Sequence, residues 1–285
     1  PLSPEVVAGA VAPVWITVKI PAAAAPGLYR GTLTVSVAGQ TAAAVPVEVK
    51  VLAWRLPDPQ DYRTWVELVQ SPDTLALEYN VPLWSEEHWK LIANSFTYLS
   101  EIGCRVVYVP LLAQTNWGNA ESMVRWIPKG QDTYEYDFTI MEKYLDLAVK
   151  NMGPPKIIVL NVWEIYQKPG ENQWNDAWWN ALTEEQKKNS YFIELKRRGD
   201  AIRKLQGEFG AGPAVTRLDS ASGKTEELHL PSFADARSKA LWKPLFDELH
   251  RRLAQRGLEK AMMLGIVNDA SPSEKEVAAL HEISG

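Results

Sequence analysis

The chain has 285 residues, of which 46% are hydrophobic and 23% are charged, and its formal net charge is −5. This composition is typical of a globular protein that is large enough to bury a substantial core. No Lys/Arg-rich run indicates a nucleic-acid partner, and no apolar run approaches the roughly 18 residues of a membrane span. With Cys104 as the single cysteine, an internal disulfide is excluded.

The first 58 residues are rich in Ala, Val and Pro and show no helical periodicity. Three short strands are predicted in this segment, at 14–20, 28–37 and 41–54. Short strands separated by Gly and Pro turns are typical of an antiparallel β-sandwich, which has about seven strands when complete. We therefore predict that residues 1–58 are the C-terminal strands of a sandwich domain and that earlier strands precede them.

Beyond residue 58 the pattern changes to apolar strands that alternate with amphipathic helices. Four strands are predicted, at 62–69, 105–112, 156–163 and 261–267. Continuous apolar strands of this kind indicate a parallel sheet that is covered on both faces. No glycine-rich phosphate loop follows the first strand, which argues against a dinucleotide-binding fold, and long loops after the strands favour a barrel. A smaller open sheet is the alternative.

The predicted fold class is therefore α/β. Residues 59–285 are predicted to form a partial (β/α)8 TIM-type barrel of about the first four strands, preceded by the end of an antiparallel β-sandwich at 1–58. Because a whole barrel has eight strands, we expect further strands beyond residue 285.

Several stretches of the sequence are recognisable. They are PAAAAPGLYRGTLTV at 21–35, VPLWSEEHWKLI at 81–92, RVVYVPLL at 105–112, NAESMVRWI at 119–127 and YEYDFTIMEKYLDLA at 134–148. The first resembles the sandwich segment that precedes many bacterial glycosidase barrels, and the others resemble proteins related to glycoside hydrolase family 123. This resemblance implies a β-sandwich followed by a (β/α)8 barrel, and a secreted or periplasmic location. It also implies retaining hydrolysis of N-acetylhexosamine-type sugars, with the substrate's own acetamido group as the nucleophile.

In that family an adjacent Asp-Glu pair ends the fourth strand, where the Asp orients the acetamido group and the Glu is the general acid/base. Here the corresponding residues are Asn268, Asp269 and Ala270. Either Asp269 matches the family Asp and Ala270 replaces the Glu, or Asn268 and Asp269 match the pair, with Asp269 as the acid. The departure from the family pair makes a non-catalytic, carbohydrate-binding relative the alternative to a glycoside hydrolase.

Residues that follow barrel strands converge on one mouth, which is where catalytic groups lie. The candidate catalytic residues selected in this way are Asp269, Glu164 and Asn268. Glycoside hydrolysis needs a proton donor, and Glu164 follows a buried run beside Trp163, an apolar neighbour of the kind that raises a carboxyl pKa. The candidate substrate-binding residues are Glu67, Gln114, Asn116, Asn161, Trp163 and Trp174. No HExxH, CxxC or clustered acid motif is present, so neither a metal nor a cofactor is predicted.

Tryptophans are unusually concentrated in one part of the chain: of the 12 in the sequence, six lie between Trp117 and Trp179. A group of aromatic side chains in loops suits a site that stacks sugar rings, although packing in a core is the competing interpretation for each of them. We also predict that the segment 163–179 lies at the same end of the sheet as Asn116 and Asp269. His88 is predicted to be a surface residue on a helix.

Overall fold

The computed structural model describes residues 9, 11, 13–37, 39, 41–115, 117–164, 174–209, 212–266 and 270–285, without the side chains of 202–209. The chain forms two compact units, Pro1–Asp58 and Pro59–Gly285. Helices and sheets are mixed in the second unit, which confirms the predicted α/β class. Among the described residues, none of the helices has the length and apolar character that crossing a membrane requires.

The first unit contains an antiparallel pair of strands, β1 (Gly27–Val35) and β2 (Ala43–Val51). The strand predicted at 14–20 has no regular secondary structure, so that prediction is wrong. A hairpin alone has too few strands to bury one of its faces, and side chains such as Leu28 and Val45 remain exposed. The described residues of this unit thus form one hairpin, and the sandwich stays a prediction.

Three of the four predicted barrel strands form a parallel sheet. They are β3 (Val106–Pro110), β6 (Ile157–Trp163) and β9 (Met262–Ile266), and their order in the sheet is β3-β6-β9. The first predicted strand, at 62–69, makes only a single parallel bridge, between Val66 and Cys104, beside the start of β3. The strands therefore follow one another across the sheet in chain order, and the described residues close no barrel.

Four longer helices and one short helix accompany this sheet. They are α1 (Pro72–Glu78), α2 (Glu86–Glu101), α3 (Thr139–Met152), α7 (Ser238–Gln255) and α8 (Glu274–Ser284). The connection from β6 to α7 contains three more, α4 (Asp176–Asn180), α5 (Glu184–Lys188) and α6 (Ser190–Phe209). Helix α2 begins with a side-chain cap, since the Ser85 hydroxyl accepts the His88 N–H at 3.2 Å.

The two long connections that follow β3 and β6 build a second sheet. Its strands are β4 (Arg125–Gly130), β5 (Thr133–Asp137), β7 (Ala214–Leu218) and β8 (Thr225–His229), in the order β5-β4-β7-β8. The β4–β5 hairpin was not predicted from the sequence. The Ala113 N–H donates to the Ala214 carbonyl at 2.8 Å, which joins β7 to the chain leaving β3.

The main apolar core lies between one face of the parallel sheet and the helices. Alternate residues of β6, Ile158, Leu160 and Val162, belong to it together with Phe96, Tyr144, Leu245 and Phe246. The opposite face of the sheet carries a small separate cluster, formed by Val106, Tyr108 and Val159, against which Trp117 and Ile157 pack. We call this opposite face the second face.

Candidate functional site

The carboxyl ends of the three parallel strands lie side by side. Asn161 of β6 is in register with Pro110 of β3 and Gly265 of β9, and Trp163 is in register with Ile266 after a shift of the ladder. Parallel strands are about 4.8 Å apart, so groups that leave the ends of β6 and β9 are near neighbours. This carboxyl edge is the candidate site.

Glu164 is the first residue after β6, and only 3% of it is exposed. Acidic side chains are rarely buried this deeply except in ion pairs and functional sites. The residue before it, Trp163, is a fully buried member of the main core. The structure therefore places Glu164 at a buried strand end, directly after the buried Trp163.

Asn161 lies two residues before the end of β6 and is 0% exposed. Neither the Oδ1 nor the Nδ2 atom of its side chain has a hydrogen-bond partner within the described chain. Strand alternation places Asn161 on the second face with Val159, and its two register neighbours are a proline, which has no N–H, and a glycine, which has no side chain. An orphaned buried amide atom costs about 1–3 kcal/mol, so the Asn161 side chain leaves a donor and an acceptor unsatisfied at a cost to stability.

The loop after β3 uses most of its polar groups internally. The Thr115 N–H donates to Asn119 Oδ1 at 3.2 Å, and Asn119 Nδ2 donates to the carbonyls of Leu112 and Glu121 at 2.8 and 3.0 Å. Gln114 has a positive φ of 55° and its N–H donates to the Asn119 carbonyl at 2.8 Å. The loop is therefore rigidly folded around Asn119, which was not selected from the sequence. Asn116 lies outside the described residues.

The tryptophans near the candidate site differ in how deeply they are buried. The Trp163 ring is 0% exposed and its Nε1–H donates to Glu276 Oε1 at 3.1 Å, so the ring offers no face to a sugar and its predicted stacking role is not supported. Trp117 is half-buried on the second face, edge-to-face with Tyr108 at 5.3 Å. Trp174 is half-buried, and its backbone packs closely against Gly199 of α6.

Glu67, a candidate substrate-binding residue within the strand predicted at 62–69, is exposed. The physical reason is that residues 62–69 make one bridge only, at Val66, and so Glu67 is not enclosed by a continuous sheet. Glu67 is consequently a weak candidate for binding substrate.

His88 is fully buried, so its predicted surface position is wrong. The Trp84 N–H donates to its Nδ1 at 2.9 Å, and its Nε2 lies 2.8 Å from the Pro72 carbonyl, an arrangement that fixes the ring between the start of α1 and the start of α2. Next to Pro72, Asp73 is buried and accepts the Ala120 N–H at 2.8 Å. Burial raises the pKa of Asp73 above its ordinary value of 3.8, although the Ala120 hydrogen bond and the nearby His88 oppose the shift.

Asn268 and Asp269 lie outside the described residues, as does the segment 165–173. Ala270 is described: it is half-buried and packs against the main core. The prediction that the Trp-rich segment shares an end of the sheet with Asn116 and Asp269 stays a prediction.

Within the described part of the chain, no group of three or more His, Cys, Asp or Glu side chains is arranged to hold a metal ion. The polar groups near the carboxyl edge are instead the Glu164 carboxyl, the Asn161 amide and the carboxylate of Glu276. Carboxyl and amide groups of this kind can transfer a proton and hold a neutral polar ligand such as a sugar.

Comparisons with known proteins identify relatives of this chain. A solved structure of a family 123 glycoside hydrolase from Clostridium perfringens, described in terms of glycolipid glycan hydrolysis, is similar with a TM-score of 0.62 and 16% identity. The similarity covers 93% of this chain but 39% of that one, and at this identity it shows a shared fold. No curated protein matches the sequence. The family model for the glycoside hydrolase 123 catalytic domain matches residues 69–284, so the chain belongs to glycoside hydrolase family 123.

Proposed function

We propose that this protein is a glycoside hydrolase whose active site lies at the carboxyl edge of the parallel sheet, where β6 and β9 end. The observation that carries the proposal is the buried carboxyl group of Glu164, one residue beyond the register pair of Trp163 and Ile266. A glycosidase needs an acid that can protonate the leaving oxygen from a site shielded from water. Glu164 carries a carboxyl group shielded from water, within a domain that matches a glycosidase family, and these two facts support the proposal.

The proposed substrate is a glycan that contains N-acetylhexosamine, and the proposed reaction retains the anomeric configuration. The carbonyl oxygen of the 2-acetamido group attacks the anomeric carbon while the glycosidic bond breaks and an acid protonates the departing oxygen. Water then opens the cyclic intermediate. In the first assignment, Asp269 orients the acetamido group and Glu164 is the acid.

In the second assignment, Asn268 orients the acetamido group and Asp269 is the acid. Ala270 supplies no group for either role, and its packing against the core sets position 270 apart from the site. The two assignments differ in which residue protonates the leaving oxygen, and this difference can be measured. General acid catalysis matters most for leaving groups that are poor acceptors of negative charge.

For substrate binding, the Asn161 amide is the strongest of the candidates, because it is buried without a partner among the described residues. Gln114, Asn116 and Trp174 remain proposals. A sugar hydroxyl or an acetamido group can satisfy both the donor and the acceptor of the Asn161 side chain.

The experiment compares the wild type with Asp269→Asn and Glu164→Gln on aryl and alkyl N-acetylhexosaminides. We expect the wild type to cleave these substrates with retention, as seen in the NMR spectrum of the first-formed anomer. Loss of the acid should lower turnover by about 10²- to 10⁴-fold on alkyl glycosides and by less on nitrophenyl glycosides. If Asp269→Asn keeps wild-type turnover, Asp269 has no catalytic role, and if neither variant shows the leaving-group dependence, neither residue is the acid.

A carbohydrate-binding relative without catalysis is the second candidate, and Ala270 in place of the family Glu is the observation that favours it. In that case the wild type binds N-acetylhexosamine oligosaccharides in calorimetry and releases no reducing sugar from them.

We also propose that residues 59–285 are the N-terminal half of a (β/α)8 barrel and that residues 1–58 are the end of a β-sandwich. The chain-order succession from the Val66 bridge through β3 and β6 to β9 supports the barrel, since a doubly wound sheet reverses its strand order. A secreted or periplasmic location is part of the same proposal.

A further inference from the structure

Glu121 lies in the connection that follows β3, and three parts of the chain converge on its carboxylate. The Trp84 Nε1–H, from the turn that precedes α2, donates to Glu121 Oε2 at 3.1 Å. Arg125, at the start of β4, donates to the same oxygen from Nε at 3.2 Å and from Nη2 at 2.6 Å. The Thr225 hydroxyl, at the start of β8, donates to Glu121 Oε1 at 2.9 Å. Only 17% of the Glu121 side chain is exposed, and hydrogen bonds to a carboxylate are among the stronger ones in proteins, so this group fastens the three parts to one another.

The backbone of Trp84 is held in the left-handed region, with a φ of 61°. A bulky residue rarely adopts this conformation, which persists only where the surrounding contacts enforce it. Here the Trp84 N–H donates to His88 Nδ1 at 2.9 Å, while the indole N–H is held by Glu121. The contact between Trp84 and Glu121 is therefore a fixed point of attachment for the connection that follows β3.

Through its backbone, Glu121 is joined to the residues that come directly after β3. Asn119 Nδ2 donates to the Glu121 carbonyl at 3.0 Å and to the Leu112 carbonyl at 2.8 Å. The same residue accepts the Thr115 N–H at Oδ1, at 3.2 Å, and the Gln114 N–H at its carbonyl, at 2.8 Å. Gln114 is also in the left-handed region, with a φ of 55°. The conformation of Gln114 thus depends on Asn119, which is itself held by Glu121.

Gln114 lies close to the carboxyl edge of the parallel sheet. The Leu111 N–H donates to the Asn161 carbonyl at 3.0 Å, and the Ala113 N–H donates to the Ala214 carbonyl at 2.8 Å, so the chain that leaves β3 is bound to the end of β6 and to the start of β7 before it reaches Gln114. The Gln114 side chain is half-buried, and its amide can both donate to and accept from a sugar hydroxyl. Strained backbone of this kind is concentrated at functional sites.

We propose that Glu121 is a positioning residue, which holds Gln114 at the carboxyl edge in the orientation that binds the sugar. The consequence for the reaction rests on the proposed function, whereas the anchoring of Gln114 does not. An amide transfers no proton, so the contact of Gln114 with the sugar is the same in the ground state and in the transition state. Loss of such a contact raises KM and leaves kcat unchanged.

The test uses Glu121→Gln, Gln114→Ala and the double variant on an alkyl N-acetylhexosaminide, with Glu142→Gln as the matched control. Glu142, on α3, is a carboxylate of similar burial that pairs with Arg252 and Arg256. We expect Glu121→Gln to raise KM by about 3- to 10-fold at unchanged kcat, which is the effect of one lost hydrogen bond. Because Glu121 acts through Gln114, the double variant should have the KM of Gln114→Ala. Glu142→Gln should leave KM unchanged. Effects of the two substitutions that multiply in the double variant would overturn the proposal.

Hydrogen exchange on the same proteins tests the anchoring without reference to activity. We expect the amides of Gln114 and Thr115 to exchange faster in Glu121→Gln than in the wild type, and at the wild-type rate in Glu142→Gln. Assays are run where each variant is folded by circular dichroism, and Thr225→Val, which removes one bond to the same carboxylate, replaces Glu121→Gln if that variant does not fold. Unchanged exchange at the two amides overturns the proposal, and so does faster exchange with unchanged KM in an active enzyme. A wild type that cleaves no glycoside refutes the proposed function instead, and exchange alone then decides whether Glu121 is the anchor.

Discussion

The two faces of the three-stranded parallel sheet differ sharply. On the helix-facing side, Leu160 and its alternate neighbours pack into one large apolar core with the helices. On the second face, Tyr108 and Val159 form a small cluster, Met263 is 50% exposed, and the Asn161 amide is buried with no partner among the described residues. Alternate residues of the same strand, β6, lie on the two faces. The comparison indicates that strand alternation separates the residues of the main core from a second face with a smaller apolar cluster and an unsatisfied amide.

The largest expected effect on stability lies on the helix-facing side. Leu160→Ala removes a side chain from the middle of the main core, and we expect it to lower the free energy of unfolding by about 2–5 kcal/mol. Met263→Ala, in the neighbouring strand but half exposed, should cost less than about 1 kcal/mol. Denaturant titration of both variants measures the difference. Equal losses would show that the two faces are not distinct.

A substitution on the second face should change stability and activity in opposite directions. Asn161→Leu removes an unpartnered amide, so we expect the free energy of unfolding to be unchanged or to rise by up to about 1–3 kcal/mol. We expect kcat/KM on N-acetylhexosaminides to fall at least about 10-fold, because a polar contact to the sugar is lost. Melting curves and steady-state kinetics on the same preparation measure both. A variant that is destabilised and fully active would place Asn161 among the packing residues.

The smallest expected effect concerns Asp73, away from both faces. Its folded-state pKa is raised above the ordinary value of 3.8 by burial, so the folded state favours the protonated carboxyl. The wild type therefore gains stability from this group as the pH falls through the raised pKa towards 3.8, and this contribution is lost as the pH rises above the raised pKa. Asp73→Asn keeps an acceptor for the Ala120 N–H but has no charge to bury. We expect it to melt at a higher temperature than the wild type at neutral pH, with the difference shrinking at acidic pH, and a constant difference would contradict this.

Regular strands and caps were predictable because their signals are local. The run KIIVLNVW at 156–163 is continuously apolar, as a strand buried on both faces must be, and it corresponds to β6. Ser273 and Glu276 have the spacing of a capping box, which is a local signal of the same kind, and α8 begins with one. Glu164 was predicted at a buried strand end because its position follows from the strand that precedes it.

Features that depend on distant partners were not predictable. Residues 14–20 have the pattern of a strand, but a strand forms only where another strand pairs with it. The β4–β5 hairpin was missed because Pro128 and Gly130 interrupt the apolar pattern of β4. The Trp163 Nε1–H donates to Glu276, which is 113 positions away in the chain. Because this partner could not be recognised from the sequence, Trp163 was predicted to stack on a sugar although its ring belongs to the core.

The most direct test of the proposed active site compares two acidic residues that were both selected from the sequence but that differ in burial. Glu164 is buried at the carboxyl edge of the parallel sheet, and Glu67 is exposed. Steady-state turnover of an alkyl N-acetylhexosaminide is measured for the wild type, Glu164→Gln and Glu67→Gln. We expect turnover to fall by about 100-fold or more in Glu164→Gln and to stay at the wild-type value in Glu67→Gln. Wild-type turnover in Glu164→Gln would contradict a catalytic role for the buried carboxyl group at the end of β6.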